Sequence, residues 1–473
     1  MKSYSEQLVE LGLKRETDSI SNAAYASAEL LLLDTLGCAI AGYPQPGIAG
    51  VVTQMRDWGG KPEADIMITG DRVPAPNAAF ANGVMIHALD YDDVYIPGSL
   101  HITSVVVPAV LAATQMSDAS GKDALAAMIM GIEIAGRIAI AGRSRRRGIG
   151  FLPSSTAGGF GAVIAAARLL GLSEKQTVNA MGINYAQASG NRQALFDMTL
   201  TKRLQPAFAA RSAMWAVSLA VQGLTGPGNV FEGKAGYFTT YLNGEIPSID
   251  EFLFDCPVMQ IERVSIKRFP SCGACHNVQI AVERLVAEEE PGPGDIDRVE
   301  IFGCSKGGLV GGPFEPGENP QVDAQFNVAW CVAHTLLRGP ATLADYTDQS
   351  VGADREVAEL ANRIGYTGPP DDLPAEVPPP EGFPEHLAKY QGVIVHMTDG
   401  RRLMRAQSPG QTHDPGQITR DSVVRKFREC VDFSGLCSGD RSHPIMRAVN
   451  RLQASLSCDE LIESLAVKQG DKP

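Results

Sequence analysis

The sequence predicts a mostly α protein, a large all-α helical domain built from both chain ends with a smaller α+β lid domain inserted. Three observations carry this. Residues 1–262 read as one Ala- and Gly-rich helical pattern after another. Alternating, strand-like patterns begin only near residue 259 and stop near residue 407. Helical periodicity then returns to the end of the chain. The expected division is therefore residues 1–262 plus 407–473 for the helical domain and 263–406 for the inserted one. Two domains also suit the size, because 473 residues exceed the ~250–300 at which a single core stops growing.

The elements follow in order. Residues 22–43 form a long apolar helix with the charge of Asp34 set inside its apolar run. Asn82 to Leu89 is a helix running into the loop YDDVYIPGSLH. Residues 104–116, 122–142 and 156–170 are further helices, the last rich in small residues. Ser173 with Gln176 is a capping-box start. Gln205 to Gln222 is a helix closed by Gly223. No run in this half alternates well as a strand. In the second half MQIERVSIK and RVEIFGC alternate as strands. QGVIVHMT, Asp399-Gly400 and RRLMRAQ make a hairpin signal. Helices are expected near 276–288, 325–337 and 353–364, and residues 368–384 are too Pro-rich for regular structure. DSVVRKFRECV is a helix capped by Asp421, and residues 440–465 are helical again.

Composition narrows the function. Hydrophobic residues are 44%, charged residues 20% and aromatics only 6%, which favours tightly packed helices with small residues at their contacts. The net charge of -13 repels phosphate backbones, so no nucleic-acid partner is expected, and an anion would need a local basic pocket. The polar N-terminus lacks the apolar core of a signal peptide. The most apolar stretch, residues 124–141, is interrupted by Glu133 and Arg137, so it reads as a buried helix rather than a membrane span. Nine cysteines without an export signal suggest free thiols and a cytoplasmic location.

Several clusters could carry chemistry. His87, Asp90, Asp92, Asp93 and His101 fall within fifteen residues at the end of an apolar helix. Such a gathering suits general acid–base work or a divalent metal; the plain alternative is a capped helix end with a solvated loop. The segment Lys267-Arg268-Phe269-Pro270-Ser271-Cys272-Gly273-Ala274-Cys275-His276 contains the Cys-x-x-Cys-His signature of c-type haem attachment. Haem is rejected without an export signal, and zinc without a second cysteine pair. A better reading puts Lys267 and Arg268 at a strand end as positive charge. Cys272 and His276 then open the next helix one turn apart, where the N-terminus favours anions. Asp197, Lys202 and Arg203 precede a helix, either as a solvated charge group or with Lys202 as a carboxylate ligand. Arg145, Arg146 and Arg147 could grip a polycarboxylate but read more simply as a solvated loop or subunit contact. The glycine-rich residues 306–317 lack phosphate-loop spacing and read as a flexible loop. His334, His386, His396, His413 and His443 receive no role.

These segments together resemble the MmgE/PrpD family. The likeness runs through LLLDTLGCAIAGY, NGVMIHALDYDD with His101, GFLPSSTAGGFGAVIAAARLLGL, NAMGINYAQASG and TKRLQPAFAARSAMWAVSLAVQGLTGPGNVFEGKAGY. It continues through IKRFPSCGACHNVQIAVERL, AQFNVAWCVAHTLLRG and VVRKF. The family includes 2-methylcitrate dehydratase, cis-aconitate decarboxylase and iminodisuccinate epimerase. The resemblance implies a helical domain with a smaller α+β lid, a homodimer and no organic cofactor; no metal is expected. It matches Asp90, His101, Lys202, Lys267 and His276 to family positions, and Cys272, Arg268 and Arg203 are added as substrate-binding candidates. Ile102 stands where proline is usual. Val94, Leu152 and Cys272 stand where the decarboxylase has a threonine and two histidines, which argues against decarboxylation of cis-aconitate.

The expected activity is therefore a cofactor-independent lyase that removes a proton beside a carboxylate of a small di- or tricarboxylic acid, dehydrating a 2-methylcitrate-like hydroxy acid. Alternatives are a dicarboxylate epimerase, a non-catalytic polycarboxylate binder, and a metal-dependent hydro-lyase using Asp90, Asp92 and Asp93. In the leading reading Lys202 and Lys267 bind carboxylate and stabilise the enolate. His101 is the base or acid, Asp90 orients it or carries the second proton, and His276 protonates a leaving hydroxyl. The site is expected where the two domains meet.

Overall fold

The computed structural model describes residues 2–142, 150–254, 256, 258–373, 390–408, 418–436 and 442–466. The Arg145, Arg146 and Arg147 run, His386, His413 and residues 374–384 of the Pro-rich segment lie outside the described residues. The chain forms two compact units. The first comprises Met1–Arg192, Thr201–Ile266 and Pro415–Pro473, and the second Gln193–Leu200 and Lys267–Asp414.

The first unit is built of packed helices. Its core helices are Asn22–Gly42, Ala75–Ile86, Thr103–Thr114, Gly121–Ala141, Gly158–Leu169 and Gln205–Val221. The C-terminal helix Arg420–Ser434 packs on Asn22–Gly42, so both ends of the chain share one core. Small residues permit close approach: a Cβ on Gly161 would lie 2.2 Å from the Gly131 carbonyl oxygen of the crossing helix. Asn22–Gly42 and Gly121–Ala141 are long and apolar enough to cross a membrane, but 72% and 94% of their apolar windows are buried within the fold. Glu133 and Arg137, the two buried charges of the second helix, pair with each other at 2.7 Å.

The second unit has a four-stranded sheet in the order Gly365–Thr367, Ile296–Phe302, Gln391–Met397, Arg402–Gln407, with only the first pair parallel. The expected hairpin is present. Gly400 has φ 89°, the left-handed conformation an Asp-Gly turn needs. The His276–Glu289 helix packs on both hairpin strands and on the Val328–Arg338 helix, burying Val278, Val282 and Leu285 against Val299, Trp330 and Val393. No disulfide joins the described cysteines.

Several expectations are corrected. MQIERVSIK is not a strand. Gln260–Arg263 is a 3-10 turn, because the Glu262 carboxylate accepts from Met259 N at 3.0 Å and Gln260 turns inward to the Tyr95 hydroxyl. Only Ser265 pairs, with Val94, so alternation without a neighbouring strand builds no sheet. The helical half does contain a small ribbon, Ala64–Asp65 with Arg72–Val73. The cap of the Arg420–Ser434 helix is Thr419, not Asp421. The helix expected over 156–170 breaks into Pro153–Thr156 and Gly158–Leu169, and that over 325–337 into Pro320–Gln325 and Val328–Arg338. The helix at 82–89 begins earlier, at Ala75, and ends at Ile86. Helices Tyr4–Lys14 and Ile48–Trp58 went unread. The Ser173 capping box is formed as expected.

Candidate active site

Three chain segments of the helical unit deliver a compact group of charges. The Ala75–Ile86 helix stops at His87, and the chain turns through Asp90, Asp92 and Asp93. His101 immediately precedes the Thr103–Thr114 helix. Lys202 lies on the 3-10 turn Leu200–Leu204 that leads into Gln205–Val221. Gly83 allows these helices to meet: a Cβ there would sit 3.0 Å from the Ala207 Cα.

Asp90 has φ 51°, a left-handed conformation that costs most side chains about 1 kcal/mol but that Asp tolerates better than most. Its Oδ1 accepts a short hydrogen bond from Lys202 Nζ. The same ammonium donates to His87 Nε2 at 2.9 Å. His87 Nδ1 is 2.9 Å from both Asp92 oxygens, so the proton sits on Nδ1 and donates to that carboxylate. Burial pulls the His87 imidazole below its ordinary range against the pull of Asp92, which leaves Nε2 as an acceptor for the lysine.

His101 is held in the complementary way. Its Nδ1 is 2.7 Å from the Asp93 carbonyl, which can only accept, so Nδ1 carries the proton and Nε2 the lone pair. That Nε2 is 3.8 Å from Asp90 Oδ1. The His101 side chain is 16% exposed, that of Lys202 10%, and those of His87 and Asp92 are fully buried, so His101 is the imidazole of the group that meets solvent. Behind it, Asp93 accepts from Ile102 N at 3.1 Å, Thr103 N at 3.0 Å and the Thr103 hydroxyl at 2.5 Å. Burial and the adjacent Asp92 charge still push the Asp93 carboxyl up to about 7.

His87, Asp90, Asp92 and His101 offer ligand atoms within 4.8 Å of one another, a spacing a metal ion could use. The Lys202 ammonium already contacts Asp90 and His87, so a divalent ion entering there would have to displace the protein's own cation. Arg203 is buried and donates to the Pro46 carbonyl at 2.9 Å.

The remaining candidates belong to the α+β unit. Lys267 and His276 are both buried and converge on one atom, the Ser271 carbonyl oxygen, at 3.2 and 3.3 Å. The Ser271 hydroxyl donates to Gln279, whose amide donates to Tyr346. The Phe269 ring meets His276 edge-on at 5.2 Å. Lys267 follows no strand, and a 3-10 turn, Gly273–Cys275, separates Cys272 from the helix that His276 opens. The Cys272 amide donates to the Gln325 carbonyl at 2.8 Å. Arg268 is exposed and pairs with Glu283 at 2.6 Å. The sequence places His87 in the cluster, three residues before Asp90, but assigns it no role.

The MmgE/PrpD N-terminal domain matches residues 6–250 and the MmgE/PrpD C-terminal domain matches residues 269–450. Cis-aconitate decarboxylase of Homo sapiens is 27% identical over 402 residues, covering 82% of this chain and 79% of that protein. The Mus musculus cis-aconitate decarboxylase is 24% identical over 98% of this chain and 94% of its own length. The 2-methylcitrate dehydratase of Escherichia coli strain K12 is 27% identical over 81% of this chain and 80% of its own.

Proposed function

The chain belongs to the MmgE/PrpD family, and we propose that it is a lyase that dehydrates a small hydroxylated di- or tricarboxylic acid. The Homo sapiens relative named for decarboxylation and the Escherichia coli relative named for dehydration are each 27% identical to this chain. Dehydration is preferred because Val94, Leu152 and Cys272 replace a threonine and two histidines of the decarboxylase pattern. The same family likeness supports a homodimer without an organic cofactor, which light scattering and an absorbance spectrum test.

The observation that carries the reading is that Asp90 Oδ1 lies 3.8 Å from His101 Nε2 and in contact with Lys202 Nζ. His101, with its lone pair on Nε2, takes the proton beside the substrate carboxylate. The C–H electron pair first delocalises into the carboxylate as an enolate and then forms the double bond as the C–O bond breaks; the departing hydroxide takes its proton from Lys202, the cation beside His101 and Asp90, rather than from His276 as first expected, and leaves as water. The proton on His101 passes through Asp90 to Lys202, which restores the starting state. Before that transfer the ammonium stabilises the developing enolate, and its burial strengthens the effect.

The test is proton NMR in deuterated water with a panel of citrate-like and aspartate-like acids. Wild-type enzyme should produce an alkene from one of them, and His101→Ala or Lys202→Ala should slow this at least about a hundredfold. Near-normal turnover in either folded variant removes the assignment. Exchange and inversion at the α-carbon without an alkene would make the protein an epimerase, and binding without turnover a polycarboxylate binder.

A further inference from the structure

Besides Lys202, the helical unit buries another lysine next to this group, on the helix Arg420–Ser434. We propose that Lys426 is a positioning residue for the active site, holding the Tyr91 peptide and ring and thereby the turn that carries Asp90 and Asp92. This inference rests on the functional reading above for its rate measurements but not for its structural ones.

The geometry is specific. Lys426 Nζ donates to the Tyr91 carbonyl oxygen at 2.7 Å and lies 3.9 Å from the centre of the Tyr91 ring. On its other side the ammonium is 2.7 Å from Asp34 Oδ1, on the Asn22–Gly42 helix. Lys426, Asp34 and Tyr91 are all buried. An ion pair that only joined the two helices would need Asp34 alone. Here the lysine also reaches the carbonyl between Asp90, in its left-handed conformation, and Asp92, the partner of His87. The peptide unit is planar, so a hydrogen bond to that oxygen fixes the plane from Tyr91 to Asp92 N. Without that anchor ψ of Tyr91 and φ of Asp92 are released, and with them the turn that sets Asp90 on Lys202 and Asp92 on His87.

Burial alone would lower the lysine, but the Asp34 carboxylate, with Cys38 and Tyr91, outweighs it and holds Lys426 above its ordinary range. Lys426 therefore acts as a fixed strut rather than as a proton carrier.

The test separates the strut from a simple ion pair. Lys426→Met leaves Asp34 buried without its partner and so loses stability as well as geometry. The double variant D34N/K426M removes both charges, and its melting temperature should return toward wild type. Its kcat should stay at least about tenfold low, with KM changed less than about threefold, as expected when geometry in the transition state is lost. D34N alone strips Lys426 of its counter-charge and so also lowers the melting temperature, but the amine, charged or neutral, still donates to the Tyr91 carbonyl, so kcat per folded molecule should hold within about threefold; K426R, which keeps a charged donor, should recover part of the loss. Nitrogen NMR of the His87 and His101 rings, which needs no substrate, should show displaced resonances in K426M and D34N/K426M and unchanged ones in D34N. Recovery of kcat in the double variant, or unmoved ring resonances in it, would reduce Lys426 to a helix-joining charge and overturn the proposal. If K426M does not fold, the same comparison is made between D34N and the double variant. A wild-type enzyme that turns over none of the acids defeats the functional reading, while the ring resonances still decide the strut.

Discussion

Two buried charge groups in the helical unit are built on opposite plans. Glu133 and Arg137 form a closed pair one helical turn apart. Arg137 also donates to the Phe254 carbonyl at 2.6 Å and lies over the Phe254 ring, while Glu133 accepts from Gln260 N at 2.7 Å. One positive and one negative charge cancel, and their partners are backbone groups that also need satisfying. The group around Lys202 gathers Asp90, Asp92, Asp93, His87 and His101, holds Asp90 in a left-handed conformation and keeps one imidazole in reach of solvent. Packing alone has no use for such a surplus. Satisfaction without excess marks a charge that serves the fold; excess with fixed tautomers marks one that serves chemistry.

The contrast can be broken by mutation. Arg137→Met strands Glu133 in the core and should cost about 3–5 kcal/mol of stability, measured by urea unfolding, with the rate per folded molecule nearly unchanged. A large rate loss at full stability would erase the distinction. His101→Ala should do the reverse. It should lose at least about a hundredfold in rate, roughly 2.7 kcal/mol of activation free energy, while the unfolding midpoint moves little because the ring is partly solvated. Lys202→Ala should lose both, since it leaves Asp90 buried without its cation. Thr103→Val deletes one donor to Asp93 and should cost about 1 kcal/mol, with the Asp93 titration moving above about 7. A downward move would mean that the hydroxyl does not favour the carboxylate.

The smallest expected effect is a slope. Asp93 holds its proton up to about 7 when folded and releases it near the ordinary carboxylate value when unfolded. Between about 4 and about 7 the folded protein therefore binds the extra proton, so this group's contribution makes stability fall as pH rises through that window and level off above it. Asp93→Asn should remove that part of the slope. An unchanged slope would place the elevated carboxyl elsewhere.

How much was legible follows from how local each signal is. The Asp399-Gly400 hairpin and the Ser173 capping box were readable because a few adjacent residues suffice to form them. The strand expected at MQIERVSIK failed because alternation marks a strand only where another strand lies alongside, and there Gln260 turns inward to Tyr95. The three arginines 145–147 fall outside the described residues. Of the site, Asp90 and His101 were visible as a dense acidic and imidazole run, and Lys202 through family likeness.

By itself the sequence determined the helical character of the larger unit, the hairpin of the smaller one, the family, and the titratable groups available for chemistry. All of these depend on composition, periodicity or short-range order. Only the tertiary structure decided that Lys202, 112 residues from Asp90, closes on it, and that Lys426, 335 residues from Tyr91, supports it from the opposite end of the chain. It also decided which nitrogen of each histidine carries the proton. Those outcomes depend on which helix packs against which, and burial turns such contacts into fixed charges and fixed tautomers.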